Sequence, residues 1–253
     1  MTRILVTNDD GITSPGLHAL QMALAELGEV TIVAPDAEQS AVGHAITTMT
    51  PLRIKKVTLA NGTEGHAVNG TPADAVRLAI LTICQSPPDL VVSGINLGPN
   101  TATNVIYSGT VSAATEARIL RVPSIAVSLV TFKDPIWETP AKFARDLAAE
   151  VLAHGLPDKV LLNINVPNLP LDKVKGIRVT RQGNSGYNER YEMRADPRGV
   201  PYYWQAGTYQ MSDVDDETDA LAVDQGYVSV TPVSFDLTAH DFLPALTRRL
   251  SQD

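Results

Sequence analysis

Short apolar runs alternate along the first two thirds of the chain with windows in which an apolar residue returns every third or fourth position. Ile4-Leu5-Val6, residues 30–33, Leu90-Val91-Val92, residues 125–130 and residues 160–166 are β-like runs. Leu17, Leu20, Leu24 and Leu27 mark one face of a helix between the first two. A second helix opens at Pro72 and runs through Val76, Ile80 and Ile83, the proline sitting in the first turn where its missing N–H is harmless. Residues 108–120 and 140–152 have the same helical texture. Strands that alternate with helices predict a parallel sheet covered on both faces. Residues 52–59, where apolar and charged positions mix, read as an edge segment.

The texture changes near Lys173. Residues 177–181 are again β-like, and residues 187–209 hold five tyrosines and Trp204, the pattern of hairpins or an extended arm. Residues 206–219 are acidic and turn-rich, 226–233 alternate as a strand, and 243–250 form a short final helix. The expected fold is therefore α/β, a Rossmann-like three-layer sandwich with a mostly parallel sheet and a C-terminal β-rich extension. The expected division is a catalytic body over 1–172 and an extension over 173–253. The extension's arm serves oligomerisation, and its last strand and helix pack back on the body. So much exposed aromatic surface predicts a dimer or larger assembly.

Composition narrows the partners. A net charge of −8 over 253 residues argues against a nucleic-acid backbone as an obligate partner. One cysteine, Cys84, excludes an intrachain disulfide or a multi-cysteine metal site. The start MTRILVTNDDG lacks the pattern of a secretory leader, and no apolar run reaches the ~18 residues of a spanning helix. The expectation is a soluble, cytoplasmic protein without a membrane partner.

Polar residues gather at the carboxyl ends of the expected strands: Thr7-Asn8-Asp9-Asp10-Gly11, then Pro35-Asp36-Ala37-Glu38-Gln39-Ser40, then Ser93-Gly94-Ile95-Asn96-Leu97-Gly98-Pro99-Asn100. In an open α/β sheet, ligands bind in the crevice outside these ends, so the three clusters are expected to converge. Adjacent carboxylates need positive charge nearby. With Ser40 and Asn96 as the other oxygen donors, Asp9 and Asp10 point to one hard divalent cation, Mg²⁺ or Mn²⁺. Helix capping is the bland alternative for the two aspartates. The glycines after the first run match neither the dinucleotide fingerprint nor a P-loop. Tyr107-Ser108-Gly109-Thr110 opens a helix with hydroxyls and N–H groups suited to a phosphate, or simply caps it. Asn100 and the Gly43–His44 loop are further candidate phosphate contacts. Asp74 orients the site or caps a helix. Glu116 holds a buried partner. His44 and His66 are substrate contacts or structural histidines. The acidic run 213–219 lacks the glycine and terminal glutamate of a calcium loop and reads as a solvated turn.

These motifs, in this order and with Asn69-Gly70-Thr71-Pro72-Ala73-Asp74, Tyr107 through Glu116 and Gly226-Tyr227-Val228-Ser229-Val230-Thr231-Pro232, resemble the SurE (survival protein E) family over essentially the whole chain. The resemblance implies a metal-dependent phosphatase for nucleoside 5′- and often 3′-monophosphates, assembled as a dimer or tetramer. It places metal ligands on Asp9, Asp10, Ser40 and Asn96. Where many members carry arginine after the Pro-Asp and glycine after the ligand serine, this chain has Ala37 and Ala41; Ala75 replaces a common cysteine. Those changes bear on the shape of the loop over 37–44. In the reaction that follows, the metal polarises the phosphoryl group, and water or Asp9 attacks phosphorus. Asp9, Asp10 and Asn96 are the catalytic set, with the phosphoryl group at Ser108, Gly109 and Thr110. The rivals are a phosphatase for other small phosphorylated metabolites or short polyphosphate, and a non-catalytic nucleotide- or metal-binding regulator.

Overall fold

The protein, described here from a computed structural model, is defined over residues 1–251. Its main sheet has nine strands. In chain order these are β1 (Arg3–Thr7), β2 (Glu29–Pro35), β3 (Ile54–Thr58), β4 (Glu64–Val68), β5 (Leu90–Leu97), β6 (Ser124–Val130), β7 (Val160–Pro167), β8 (Ile177–Val179) and, after a separate hairpin, β11 (Val228–Ser234). The spatial order is β3-β4-β2-β1-β5-β6-β7-β11-β8. The six strands from β4 to β7 are mutually parallel; β3 and β11 join antiparallel on either side, and β8 runs parallel to β11. Strands β9 (Gly186–Ala195) and β10 (Pro201–Gln210) form the antiparallel hairpin of the extension. The expected α/β class holds, and the C-terminal segment does more than append an arm, because β8 and β11 extend the main sheet.

Period-two alternation explains the two cores. On β1, Ile4 and Val6 face one side with Leu17, Leu20 and Leu24 of α1 (Pro15–Leu24), while Leu5 faces the other. The first side is closed by α1 and the later helix α4 (Glu138–His154). The second is closed by α2 (Pro72–Leu78) and α3 (Gly109–Ile119), through Ala75, Val76, Ala113 and Ala117. Small residues let α2 and α3 pack closely.

Local signals set the helix starts. Ser14 caps α1, its Oγ accepting from the Leu17 N–H at 3.2 Å, with Pro15 in the first turn. Thr71 and Asp74 form a reciprocal capping box on α2. Asp74 also accepts from the Thr47 N–H at 3.0 Å. Burial would raise its pKa, but these bonds outweigh it and hold the carboxyl low. Asp74 is thus a cap that ties down the 41–48 loop.

The expected helix through Ile83 is α2 followed by one wider turn over Ala79–Ile83. Two elements lie where sequence pattern gave none: β4, and α5 (Asp219–Asp224) at the end of the acidic run. In that run Asp213 and Asp215 pair with Arg181 at 3.0 and 3.1 Å. The last helix, α6 (Leu243–Leu250), buries none of its side chains in this chain. No helix among the described residues is long and apolar enough to cross a membrane.

The strand order reverses at β1. Chain continuity runs from β1 outward to β2 on one side and returns to β5 on the other, which opens a crevice at the carboxyl ends of these two strands.

Candidate active site

The β1 end is built by Asn8. Its amide donates to the Gly11 carbonyl at 3.0 Å and to Ser14 Oγ at 2.7 Å, folding Asp9 and Asp10 into a tight turn that Gly11 closes with φ +95°. The second cluster docks onto this turn: the Gln39 N–H donates to the Asp9 carbonyl at 2.8 Å, and Ile12 N–H to the Pro35 carbonyl at 2.9 Å. The third cluster arrives on β5, whose Thr7–Ser93 register matches the end of β1. The Leu97 backbone hydrogen-bonds the Asp10 carboxyl. All three clusters therefore meet.

Asp9 is 5% exposed and packs against the start of α3. Its Oδ1 accepts from the Thr110 hydroxyl at 2.6 Å, and the Thr110 backbone also bonds the carboxylate. Burial raises the Asp9 pKa, the Thr110 bonds partly offset that, and the charge on Glu38 adds to it. Asp10 is pushed up to about 7 by burial, then by its neighbour Asp9, with Glu38 again contributing. Among the described residues, no lysine, arginine or histidine pairs with either aspartate. The site carries uncompensated negative charge.

Glu38 is the residue the sequence passed over. Its position between Pro35 and Ser40 was visible, but not that its charge would act on the aspartate pair while its carboxylate takes the Ser40 hydroxyl at 2.6 Å. Among the described residues no three His, Cys, Asp or Glu side chains gather as a metal site. Asp9, Asp10, Ser40 and Asn96 are of another kind: two carboxylates, a hydroxyl and an amide. Their chemistry suits a hard cation. The Ser40 proton goes to Glu38, leaving lone pairs on Oγ. The Asn96 amide N–H goes to the Gly98 carbonyl at 2.8 Å, leaving Oδ1 as its acceptor. Buried oxygens without hydrogen-bond partners, Thr7 Oγ1, Asn8 Oδ1 and Ser93 Oγ, lie at the same strand ends. The residues present fit a divalent cation.

The start of α3 is organised differently from a bare phosphate cradle. Ser108 is the N-cap, its Oγ accepting from the Val111 N–H at 3.1 Å. Thr110 spends its hydroxyl on Asp9. Of the first-turn N–H groups, those of Thr110 and Val111 are thus engaged within the protein. Asn100 braces this arrangement. Its amide donates to Ser128 Oγ at 2.8 Å and reaches Thr110 Oγ1 at 3.4 Å. Its N–H donates to Asn165 Oδ1, and its carbonyl accepts from Asn163 and Asn165. A buried polar chain therefore runs from β7 through Asn100 and Thr110 to Asp9. The Asn100–Thr110–Asp9 part of it is fully bonded and fixes geometry, while Asn163 Oδ1 at its far end has no partner among the described residues.

The Gly43–His44 loop lies against the same helix. The Gly43 N–H donates to the Tyr107 carbonyl at 3.1 Å, and His44 Nε2 meets Glu116 Oε2 at 2.7 Å. Glu116 also accepts from Arg77 at 2.7 Å. Burial would raise the Glu116 pKa, yet the bonds and charges of His44 and Arg77 hold it low. His44 is thus anchored to α3. Ala41 takes φ +56°, a left-handed conformation that an L side chain adopts at a cost. His66 lies elsewhere, on β4 opposite Val33.

Comparisons with known proteins place the whole chain in one family. The family model described as survival protein SurE matches residues 4–189. A 5′-nucleotidase SurE of Syntrophobacter fumaroxidans is 50% identical over 244 residues, covering 96% of this chain and 98% of that protein. One from Thermosipho africanus is 47% identical over 246 residues, covering 97% and 96%. The crystal structure of the SurE protein from Aquifex aeolicus matches with a TM-score of 0.86 at 43% identity, covering 98% of this chain and 99% of that one. The family match, about 50% identity over nearly the full length and a shared fold together show that this chain belongs to the SurE family.

Proposed function

We propose that the chain is a metal-dependent phosphomonoesterase that hydrolyses nucleoside 5′-monophosphates, and 3′-monophosphates as well, to nucleoside and phosphate. The observation that carries this reading is the Asp9–Asp10 pair: two carboxylates at a strand-order reversal, burdened further by Glu38 and without a basic partner among the described residues. One divalent cation per subunit, Mg²⁺ or Mn²⁺, is held by Asp9, Asp10, Ser40 and Asn96. When bound, it supplies the positive charge this site lacks and Lewis acidity toward the phosphoryl group.

The chain's own residues position the rest. The phosphoryl group lies at the α3 start, where the Gly109 N–H and the Ser108 hydroxyl are its donors and Gly43 and His44 border it. Thr110 and Asn100 act one step back, as positioning residues for Asp9. Both Asp9 oxygens face α3: Oδ1 is bonded to Thr110, and Oδ2 lies 2.8 Å from where a Cβ on Gly109 would sit. The hairpin, with Tyr191, Tyr203 and Trp204 exposed in the single chain, supports assembly as a dimer or tetramer.

A turnover panel tests the reading: nucleoside 5′- and 3′-monophosphates, sugar phosphates and short polyphosphate, each with and without chelator. Turnover of the nucleotides that chelation abolishes and Mn²⁺ or Mg²⁺ restores is the expected result. Metal-independent turnover, or nucleotide binding without phosphate release, would overturn it.

Two further outcomes are expected. Thr110→Val removes the hydroxyl on Asp9 and leaves the backbone bond. A hydrogen bond to a charged group is worth about 1.5–3 kcal/mol, so kcat/KM falls at least roughly tenfold; an unchanged value would separate Thr110 from Asp9's role. The second outcome concerns pH. The folded Asp10 carboxyl, at about 7 against an ordinary 3.8, binds a proton more tightly than the unfolded chain does. Its contribution to stability therefore falls as pH rises through that window. In chelated protein, Asp10→Asn is expected to gain melting temperature relative to wild type as pH rises from 4 to 7, in the window set by 3.8 and about 7. A constant difference across that range would contradict it.

A further inference from the structure

Beyond the aspartate pair, the same carboxyl ends of the sheet open into a cavity of about 560 Å³ between the ends of β6 and β7 and the foot of the hairpin. That volume lies within the ~300–1,000 Å³ of small-ligand sites. Its walls are mostly apolar: Pro99, Val130, Phe132, Leu169 and Met211. Phe132 is 68% exposed, unusual for so large a ring at a cavity wall.

The ring is held in place. Its inner edge lies on Gly98, where a Cβ would come 2.7 Å from Phe132 Cε1. The loop that carries it is folded on itself at Thr131 and tied to Asn168, the residue after β7. Thr131 Oγ1 donates to the Lys133 carbonyl at 2.6 Å and accepts from its N–H at 3.1 Å. Asn168 accepts from the Ile136 N–H at 2.9 Å and donates to the Asp134 carbonyl at 3.1 Å. A fixed, half-uncovered aromatic ring is a stacking platform of low entropic cost. Gly98 adjoins Leu97, whose backbone bonds Asp10. The ring edge on Gly98 thus stands at the end of β5, one strand spacing, about 5 Å, from β1. The cavity behind it reaches the ends of β6 and β7, two and three spacings from the carboxylate pair, so that a nucleotide with its phosphoryl group at the aspartates extends its base toward the ring.

We propose that this cavity is the nucleobase subsite and that Phe132 stacks on the base. The proposal rests on the nucleotide reading above and assigns the part of the substrate that the aspartate site does not hold. An aromatic face accepts purines and pyrimidines alike. Phe132 therefore sets the preference for nucleotides over base-free phosphomonoesters.

The test compares Phe132→Ala, Phe132→Tyr and wild type on adenosine 5′-monophosphate and on ribose 5-phosphate, with adenosine binding measured by calorimetry and mass by light scattering. In Phe132→Ala, KM for the nucleotide is expected to rise about tenfold, the lower range of base–aromatic stacking. Kinetics on ribose 5-phosphate stay within about twofold, adenosine binding weakens in parallel, and Phe132→Tyr restores both. An unchanged nucleotide KM overturns the proposal. So does an equal change on both substrates, which would place the loop's effect at the phosphoryl site, or a change of mass alone, which would make the cavity a seat for a second copy. If wild type turned over neither substrate, the phosphomonoesterase reading would fall, and adenosine binding by wild type against Phe132→Ala would still decide the subsite.

Discussion

Asp9→Asn is expected to lower kcat at saturating Mg²⁺ or Mn²⁺ by at least about 100-fold, the scale of losing one preorganised electrostatic element. The substitution is nearly isosteric. An asparagine Oδ1 still accepts from the Thr110 hydroxyl that now sits 2.6 Å from Asp9, so the packing at the α3 start survives. What disappears is the negative charge that completes the cation site. Because Asp9 is 5% exposed and burial already raises its pKa, the metal-free variant is expected to melt no lower than wild type. The rise in melting temperature on adding Mn²⁺ is expected to shrink, since a ligand stabilises only the state that binds it. Near-wild-type kcat in Asp9→Asn would remove the aspartate pair from the reaction. A variant that melted far lower than wild type would make Asp9 structural instead.

That the segment of Asp9 and Asp10 adjoins those carrying Ser40 and Asn96 was legible from the chain, for a reason of topology. Parallel strands all end on the same side, so motifs at their carboxyl ends converge whatever their separation in sequence. The elements that escaped have physical reasons too. β4 is five residues, Glu-Gly-His-Ala-Val, and its Gly65 and His66 dilute any strand pattern; it is a strand because β2 and β3 flank it. α5 hides in an acidic run because Asp219 is not solvated there. It is fully buried, accepting from the Ala102 and Gly183 N–H groups. The bracing role of Asn100 depends on Asn163 and Asn165, and here a signal existed. Two asparagines at period two in Leu-Asn-Ile-Asn-Val put polar groups on one face of an otherwise apolar strand. What no sequence pattern carries is the direction of a hydroxyl. Ser-Gly-Thr at a helix start offers the same donors whether they serve a ligand or a neighbouring carboxylate, and here Thr110 serves Asp9.

Gly109 makes the same point in its sharpest form, and Gly109→Ala carries the second large expected effect. At the first position of α3, alanine suits the backbone, and helix propensity alone favours it over glycine by up to about 1 kcal/mol. The obstacle is a neighbour. A Cβ there would lie 2.7 Å from Asp9 Cβ, 2.8 Å from Oδ2 and 3.2 Å from Cγ. Asp9 has no slack to yield by rotation, because Thr110 holds Oδ1 and the Asp9 carbonyl is bonded to the Gln39 N–H. Either the carboxylate or the start of the helix must shift, and a misplacement of about 1 Å in such a site can cost about 100-fold in rate. The expected result is a kcat/KM loss near that size with weaker Mn²⁺ binding by calorimetry, larger than the loss in Thr110→Val, which removes a bond without adding an atom. Since the clash and the gain in propensity oppose each other, melting temperature is expected to change far less than activity. Gly109→Ala with wild-type kcat/KM and metal affinity would show that the close approach of α3 to Asp9 does not set the carboxylate's working position.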